Sequence, residues 1–154
     1  MKGRWAALIL FVLAVLLAGL AIGYATRPGE WYSSLDKPPF TPPNWIFAPV
    51  WTTLYVMIAV AGWYVKIEQP DAYAFRLWMF QLLLNFLWSP LFFAGHLVGA
   101  ALIVILALLA SVVTFASRTW TTARPASLLF IPYALWVAYA LALNTGIWAL
   151  NPFA

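Results

Sequence analysis

Long apolar runs separated by short polar breaks constrain this chain more than any other feature. One run extends from Trp5 to Ala25, and residues 73–116 contain Arg76 as their only formally charged residue. A helix needs about 20 apolar residues to cross the hydrocarbon of a bilayer, so the second run is long enough to cross twice. With 66% hydrophobic and 8% charged residues, a soluble domain of this length could not bury its apolar surface. The sequence therefore predicts a membrane protein.

The polar breaks divide the chain into five predicted membrane helices. They lie at residues 27–30, 66–71, 95–96 and 118–124. The first apolar run is too long for the apolar part of a signal peptide, which spans about 7–15 residues, so it is interpreted as a helix that stays in the membrane. We expect an all-α membrane protein with one domain, residues 1–154, built as a five-transmembrane-helix bundle. Its predicted spans are residues 5–25, 46–65, 74–94, 97–117 and 126–150.

The distribution of basic residues predicts the orientation of this bundle. Five crossings place six basic residues on one side and two, Arg27 and Lys37, on the other; the six are Lys2, Arg4, Lys66, Arg76, Arg118 and Arg124. Because cytoplasmic loops carry an excess of Lys and Arg, the N-terminus is predicted to be cytoplasmic. Residues 27–45 and the C-terminus are then on the opposite side. This bias also explains the formal charge of +4, and with no basic cluster we expect no nucleic-acid partner.

A stretch rich in aromatic residues and proline, WYSSLDKPPFTPPNWIFAPVWTTLY (residues 31–55), links the first two predicted helices. Residues 27–45 are called the aromatic loop below. Proline fixes φ and lacks an N–H group, so this loop cannot form an ordinary helix. Its aromatic residues are Trp31, Tyr32, Phe40 and Trp45. They suit two interpretations: an interfacial belt at the depth of the lipid headgroups, or a lid over a pocket.

Three predicted helices carry aromatic and amide side chains at helical spacing, which places each set on one face. The sets are Trp51 and Tyr55 in the second helix, Gln81, Asn85, Trp88 and Phe92 in the third, and Tyr133, Trp136, Ala140 and Asn144 in the fifth. Together with the aromatic loop they favour a pocket for a flat, largely apolar ligand, such as a tetrapyrrole or a sterol. The alternative is that Asn85 and Asn144 only join helices by hydrogen bonds, worth about 0.6 kcal/mol each.

Residues that usually perform catalysis or bind metals are scarce. The chain has no cysteine and one histidine, His96, which lies at a predicted turn. The four acidic residues are divided between the two sides of the membrane, so no carboxylate pair is expected in the pocket. We therefore expect no metal site. Arg27 and Lys37 lie near the predicted pocket mouth, where they suit either ligand carboxylates or a role as interfacial cations.

Three blocks occur in order: the stretch at 31–55, NFLWSPLFF at 85–93 and PYALWVAYALALN at 132–144. In these blocks the chain resembles the TspO/MBR family, the tryptophan-rich sensory proteins related to the mitochondrial translocator protein. The resemblance implies a five-helix bundle, commonly a homodimer, with a pocket roofed by the loop after the first helix. It implies binding of porphyrins and of isoquinoline-carboxamide or benzodiazepine-type drugs. The positions that match the family's blocks are Trp31, Tyr32, Trp51, Tyr55, Asn85, Trp88, Ser89, Trp136 and Ala140; Trp45, Phe92 and Tyr133 complete the candidate ligand-binding set.

These observations lead to one principal function and two alternatives. The principal one is a tetrapyrrole-binding membrane receptor or sensor that needs no cofactor and takes porphyrin or haem as its ligand. The first alternative is a light-dependent, porphyrin-degrading enzyme that uses Trp51 and Trp136, as the resemblance implies. The second is a porphyrin or lipid transporter, although the sequence has no inverted repeat. The eukaryotic branch of the family also binds cholesterol, but its motif needs a basic residue after a tyrosine, and none follows Tyr139.

Overall fold

The computed structural model describes residues 2–152, which are helical apart from short connections and contain no strand in that range. Five long helices and one short helix are present: α1 (Lys2–Ala25), α2 (Glu30–Ser34), α3 (Phe47–Trp63), α4 (Ala72–Ser89), α5 (Val98–Thr122) and α6 (Arg124–Leu150). A 3-10 turn, Asn44–Ile46, precedes α3, and π turns extend α3 to Glu68 and α4 to Ala94. The five long helices are long and apolar enough to cross a membrane. The predicted fold class is confirmed.

Local chemistry explains where α4 begins and ends. At its start, the Asp71 side chain accepts hydrogen bonds of 3.0 Å from the backbone N–H groups of Tyr73 and Ala74, which caps the helix. At its end, Pro90 has no N–H group to donate, and the chain widens into a π turn in which the Gly95 N–H donates to the Pro90 carbonyl at 2.8 Å. His96 then takes a positive φ of 54° in the turn that leads to α5.

The five long helices form a closed ring in the order α1–α3–α6–α5–α4, with α4 contacting α1 again. Each helix buries one side in this ring and leaves large apolar side chains exposed on the other, for example Leu10, Ile103 and Leu135. In water such a surface would be strongly unfavourable, whereas lipid chains are a good solvent for it. The outer surface of the ring is therefore the surface that faces lipid.

Two glycines allow the closest helix contacts. A Cβ atom on Gly19 of α1 would lie 2.3 Å from the ring of Tyr55, and one on Gly62 of α3 would lie 2.2 Å from the indole of Trp78. A side chain at either position would displace the aromatic ring that packs against it, so glycine allows this close packing. The Trp78 Nε1–H donates to the Ile58 carbonyl at 2.8 Å, which fixes the indole against Gly62.

Ion pairs join the helices at the end of the bundle away from the aromatic loop. The Arg4 guanidinium pairs with the Glu68 carboxylate, through an Nε–Oε1 contact of 2.7 Å among others. Arg118 pairs with Asp71 at 3.1 Å. The pKa of the Asp71 carboxyl lies below its usual range because the Ala74 N–H donates to the charged form and Arg118 is nearby.

Candidate functional site

The aromatic loop lies across the end of the ring where α4 turns into α5. Tyr32, in α2, is 4% exposed and packs against Phe92 and Phe93 with ring centroids 6.3 and 5.3 Å apart. Trp31 stacks on the imidazole of His96 at 4.1 Å. The start of the loop is therefore held by aromatic contacts with the α4–α5 turn.

The second half of the loop is held against α6 by polar contacts. The Asp36 N–H donates to Asn151 Oδ1 at 3.0 Å, and Asn151 Nδ2 donates back to the Asp36 carbonyl at 2.9 Å. Tyr139 Oη donates to the Phe40 carbonyl at 2.6 Å. Between these two anchors, Pro38 lies so close to Gly146 that a Cβ there would be 2.3 Å from the proline ring. The loop thus follows α6 over about three helical turns.

Under the loop lies a small, partly enclosed cavity of about 20 Å³. Its walls come from the loop and from α3, α4 and α6, and they are almost entirely apolar: Tyr32, Phe47, Trp88, Phe92, Phe93, Ala140, Leu143, Asn144 and Ile147. Such a volume holds about one water molecule, whereas pockets for small organic ligands have about 300–1,000 Å³. A flat organic ligand can enter only if the loop or the aromatic rings move.

A tryptophan–asparagine pair fixes one wall of this cavity. Trp88 Nε1–H donates to Asn144 Oδ1 at 3.0 Å, and Asn144 Nδ2 donates to the Val98 carbonyl at 3.1 Å. The pair joins α4, α6 and α5 through one amide group. Asn144 therefore does more than join helices, since it sets the orientation of the Trp88 ring that lines the cavity.

Deeper in the ring, a chain of buried hydrogen bonds connects α3, α4 and α6. Tyr55 Oη donates to Asn85 Oδ1 at 3.2 Å, and Asn85 Nδ2 donates to Tyr133 Oη at 2.8 Å. Tyr133 Oη donates in turn to Gln81 Oε1 at 2.8 Å. The donor and acceptor roles agree along the chain, so the polar groups stabilise one packing of the three helices.

Two tryptophans contact this hydrogen-bonded chain or a ring of the cavity wall. Trp51 stacks on Tyr55 at 5.5 Å, and its ring meets the Tyr133 ring edge-on at 6.4 Å. Trp136 contacts Phe47, a cavity residue, at 6.0 Å. Its Nε1–H is the one buried side-chain polar atom of residues 3–152 that has no hydrogen-bond partner. An unpaired buried donor costs about 1–3 kcal/mol, so a ligand acceptor at this position would remove an energetic cost.

Four of the twelve predicted ligand-binding residues line the cavity: Tyr32, Trp88, Phe92 and Ala140. Trp31 and Trp136 each contact a ring that lines it. Tyr55, Asn85 and Tyr133 belong to the deeper hydrogen-bonded chain, on which Trp51 stacks. The remaining two lie elsewhere. Trp45 is 74% exposed at the outer edge of the aromatic loop. The Ser89 hydroxyl lies 2.6 Å from that of Thr26, so it joins α4 to α1. Among residues 2–152, no group of three His, Asp or Glu side chains is placed to hold a metal ion.

Several cavity residues were missed by the sequence analysis: Phe47, Phe93, Leu143 and Ile147. Phe47 lies four residues before Trp51 and extends the same helical face, so the spacing contained this signal. Phe93 reaches the cavity because the π turn holds one residue more than an α turn, which changes the face that follows. Regular helical spacing cannot reveal such a residue.

The apolar outer surface, the closed ring of five helices and the aromatic cavity beneath a loop define an integral, multi-pass membrane protein. The sequence model of the TspO/MBR family matches residues 11–149. The chain is 40% identical to tryptophan-rich protein TspO of Archaeoglobus fulgidus, covering 93% of this chain and 98% of that protein. It is 36% identical to protein CrtK of Rhodobacter capsulatus, covering 92% and 91%. It is 33% identical to the human translocator protein, covering 98% and 94%. The chain belongs to the TspO/MBR family.

Proposed function

We propose that this protein is a membrane receptor or sensor that binds a tetrapyrrole, a porphyrin or haem, beneath the aromatic loop. The observation that carries the proposal is the buried Trp136 Nε1–H, which has no partner among residues 3–152. It lies beside Phe47 and one helical turn from Ala140, both of which line the cavity. A ligand that offers aromatic surface and one acceptor would stack on the rings and bind this donor. Isoquinoline-carboxamide and benzodiazepine-type compounds have the same chemistry.

Binding at this site requires opening. The cavity of about 20 Å³ is far smaller than a macrocycle, and α6 holds the loop through the Asn151–Asp36 pair and the Tyr139–Phe40 hydrogen bond. These contacts are few and lie at the surface, so they can break without unfolding the ring. The ligand is then the only group that the function needs, and no separate cofactor is part of the proposal.

The proposal includes the orientation and assembly of the protein. The N-terminus is cytoplasmic, and the aromatic loop and the C-terminus lie on the opposite side, as the excess of basic residues near the other end supports. The bilayer surrounds the exposed apolar side chains. A homodimer is proposed from family membership alone, and nucleic acid is not among the proposed partners.

A second candidate function is light-dependent degradation of the bound porphyrin. The contacts of Trp51 with Tyr55 and Tyr133 favour it, because adjacent aromatic rings at 5.5 and 6.4 Å can supply an electron to an excited porphyrin. Dioxygen that then accepts this electron from the porphyrin becomes the reactive oxygen species that oxidises the macrocycle. Transport of a porphyrin or lipid is the weaker alternative. Its usual sign is a pair of interrupted helices, whereas the π turns described here lie at the ends of α3 and α4.

Titration of the purified, detergent-solubilised protein with protoporphyrin IX in the dark tests the proposal. Binding is followed by the shift of the porphyrin Soret band, which does not depend on the number of tryptophans. The variants are Trp51→Phe, Trp136→Phe and Asn85→Ala, and the matched control is Trp148→Phe, an exposed tryptophan on the outer side of α6.

The receptor proposal is supported if binding saturates, if each of the three pocket variants weakens it at least tenfold, and if the Trp148→Phe control leaves it unchanged. The site is refuted if binding never saturates, or if all four variants bind porphyrin as tightly as the parent. The same set is then illuminated. Loss of porphyrin absorbance that requires light and both Trp51 and Trp136 would make the protein an enzyme.

A further inference from the structure

A second concave surface lies at the opposite end of the bundle, on the outside of α5 and α6. It is an open groove of about 380 Å³ lined by Ala116, Ser117, Trp120, Ser127 and Ile131. The three small side chains leave a gap between the helices, and Trp120 and Ile131 form its walls. The groove is separate from the cavity under the aromatic loop, because it lies at the other ends of the helices.

The position of the groove along the helices places it in the part of the hydrocarbon layer that lies next to the lipid headgroups at this end of the bundle. Ala116 lies six residues before the end of α5, and Ile131 lies seven residues after the start of α6. At 1.5 Å per residue, the groove reaches about 10 Å inward from the connection between the helices. The Ser127 hydroxyl donates to the Ala116 carbonyl at 2.7 Å, so the groove presents mainly apolar surface. Its occupant must therefore be apolar over most of its length.

A cation lies at the end of this groove that is nearest to the connection between α5 and α6. The guanidinium of Arg124 lies 4.7 Å from the ring centroid of Trp120, the groove wall. Arg4 and Arg118 at the same end pair with acidic residues, whereas Arg124 forms no ion pair within residues 2–152. Arg124 also begins α6, where the helix dipole is positive and disfavours a cation. The Arg124 guanidinium and the positive end of the α6 dipole both attract an anion to this point.

We propose that this groove binds an anionic phospholipid, with one acyl chain between α5 and α6 and the phosphate on Arg124. The assignment combines an apolar groove open to the hydrocarbon, an unpaired guanidinium at the depth of the headgroups and an exposed tryptophan at the interface. A guanidinium can bind two phosphate oxygens at once. A zwitterionic lipid offers the same chain, but its own ammonium group competes for the phosphate.

Native mass spectrometry of the intact protein tests this inference. Detergent-solubilised protein is mixed with equal amounts of phosphatidylglycerol and phosphatidylcholine of the same chain length, and the bound lipid is counted. We expect one retained phosphatidylglycerol, preferred by about fivefold, which is the effect of one basic residue near an anionic headgroup. Arg124→Gln abolishes that preference and Arg124→Lys keeps most of it. Replacement of Arg76, an exposed cation at the same end, by glutamine (Arg76→Gln) leaves the preference unchanged.

Filling the groove separates this site from general attraction to charge. Ser117→Leu adds an apolar side chain within the groove, and we expect it to lower retention of both lipids while Arg124 is intact. Addition of glycerol 3-phosphate should leave the lipid bound, since that anion has no acyl chain. The inference is refuted if Arg124→Gln and Arg76→Gln act alike, if Ser117→Leu has no effect, or if glycerol 3-phosphate displaces the lipid.

Discussion

Asn85 connects three helices through one amide group, and its replacement by leucine gives a sharp test of the buried network. Asn85→Leu removes two interhelical hydrogen bonds, to Tyr55 and Tyr133, of 3.2 and 2.8 Å. In membrane proteins such bonds contribute about 0.6 kcal/mol each. The Tyr55 hydroxyl is then buried without an acceptor, at a cost of about 1 kcal/mol. We expect Asn85→Leu to lower the free energy of unfolding by about 2 kcal/mol.

The decisive part of this test is a second substitution, Tyr55→Phe. In the parent it removes one hydrogen bond, about 0.6 kcal/mol, and leaves the buried Asn85 Oδ1 without a donor, about 1 kcal/mol more. Combined with Asn85→Leu it removes the unpaired hydroxyl, so it should instead restore about 1 kcal/mol. The effect of the same substitution changes sign because the partner of the hydroxyl is gone. The double-mutant cycle therefore predicts a coupling of about 2.6 kcal/mol.

The measurement is equilibrium unfolding of the detergent-solubilised protein by added SDS, followed by far-ultraviolet circular dichroism. Tyr139→Phe is the matched control, since its hydroxyl donates to the Phe40 carbonyl outside the network. It should add to Asn85→Leu without coupling. If Tyr55→Phe destabilises the parent and the Asn85→Leu variant equally, the Tyr55–Asn85 hydrogen bond does not stabilise the bundle and the reasoning is wrong.

Three further predictions concern the loop, the helix contacts and the helix cap. Asn151→Ala removes the two hydrogen bonds that hold the loop, which contribute about 1 kcal/mol together. Porphyrin association and dissociation should therefore both become about fivefold faster in stopped-flow measurements. Unchanged rates would show that the loop does not gate the site. Gly62→Ala should lower the unfolding free energy by about 1–3 kcal/mol through its clash with Trp78, whereas Gly23→Ala, which meets open space, should not. The lowered pKa of the Asp71 carboxyl stabilises the fold above the ordinary aspartate pKa, and this contribution is lost as the pH falls through the folded-state value. Acid unfolding curves should therefore be steeper for the parent than for Asp71→Asn.

The sequence alone was sufficient for the membrane helices, because their signal is local. The breaks around Lys66 and Gly95 follow from charge, glycine and the length of helix that a bilayer requires. The faces that carry Trp51, Asn85 and Trp136 follow equally from helical spacing. Each of these inferences depends on residues within a few turns of one another.

Helical spacing and polar breaks could not predict which partner each side chain contacts. Asn85 and Asn144 look alike in sequence, yet one joins two tyrosines deep in the ring and the other orients Trp88 in the cavity wall. Ser89 lies beside candidate ligand-binding residues in the sequence, but its hydroxyl meets Thr26 of α1. These outcomes depend on the rotation of each helix against its neighbours.

The sequence by itself determined that this chain is a five-helix membrane protein of the TspO/MBR family, since hydrophobic length, charge placement and three residue blocks are properties of the chain in order. Only the tertiary structure decided that the aromatic loop is held to α6 by Asn151, that the cavity beneath it has a volume of only about 20 Å³, and that Trp136 has a buried N–H without a partner. The physical reason is that hydrogen bonding and cavity volume depend on atoms brought together from distant parts of the chain. Asp36 and Asn151, for example, lie 115 residues apart.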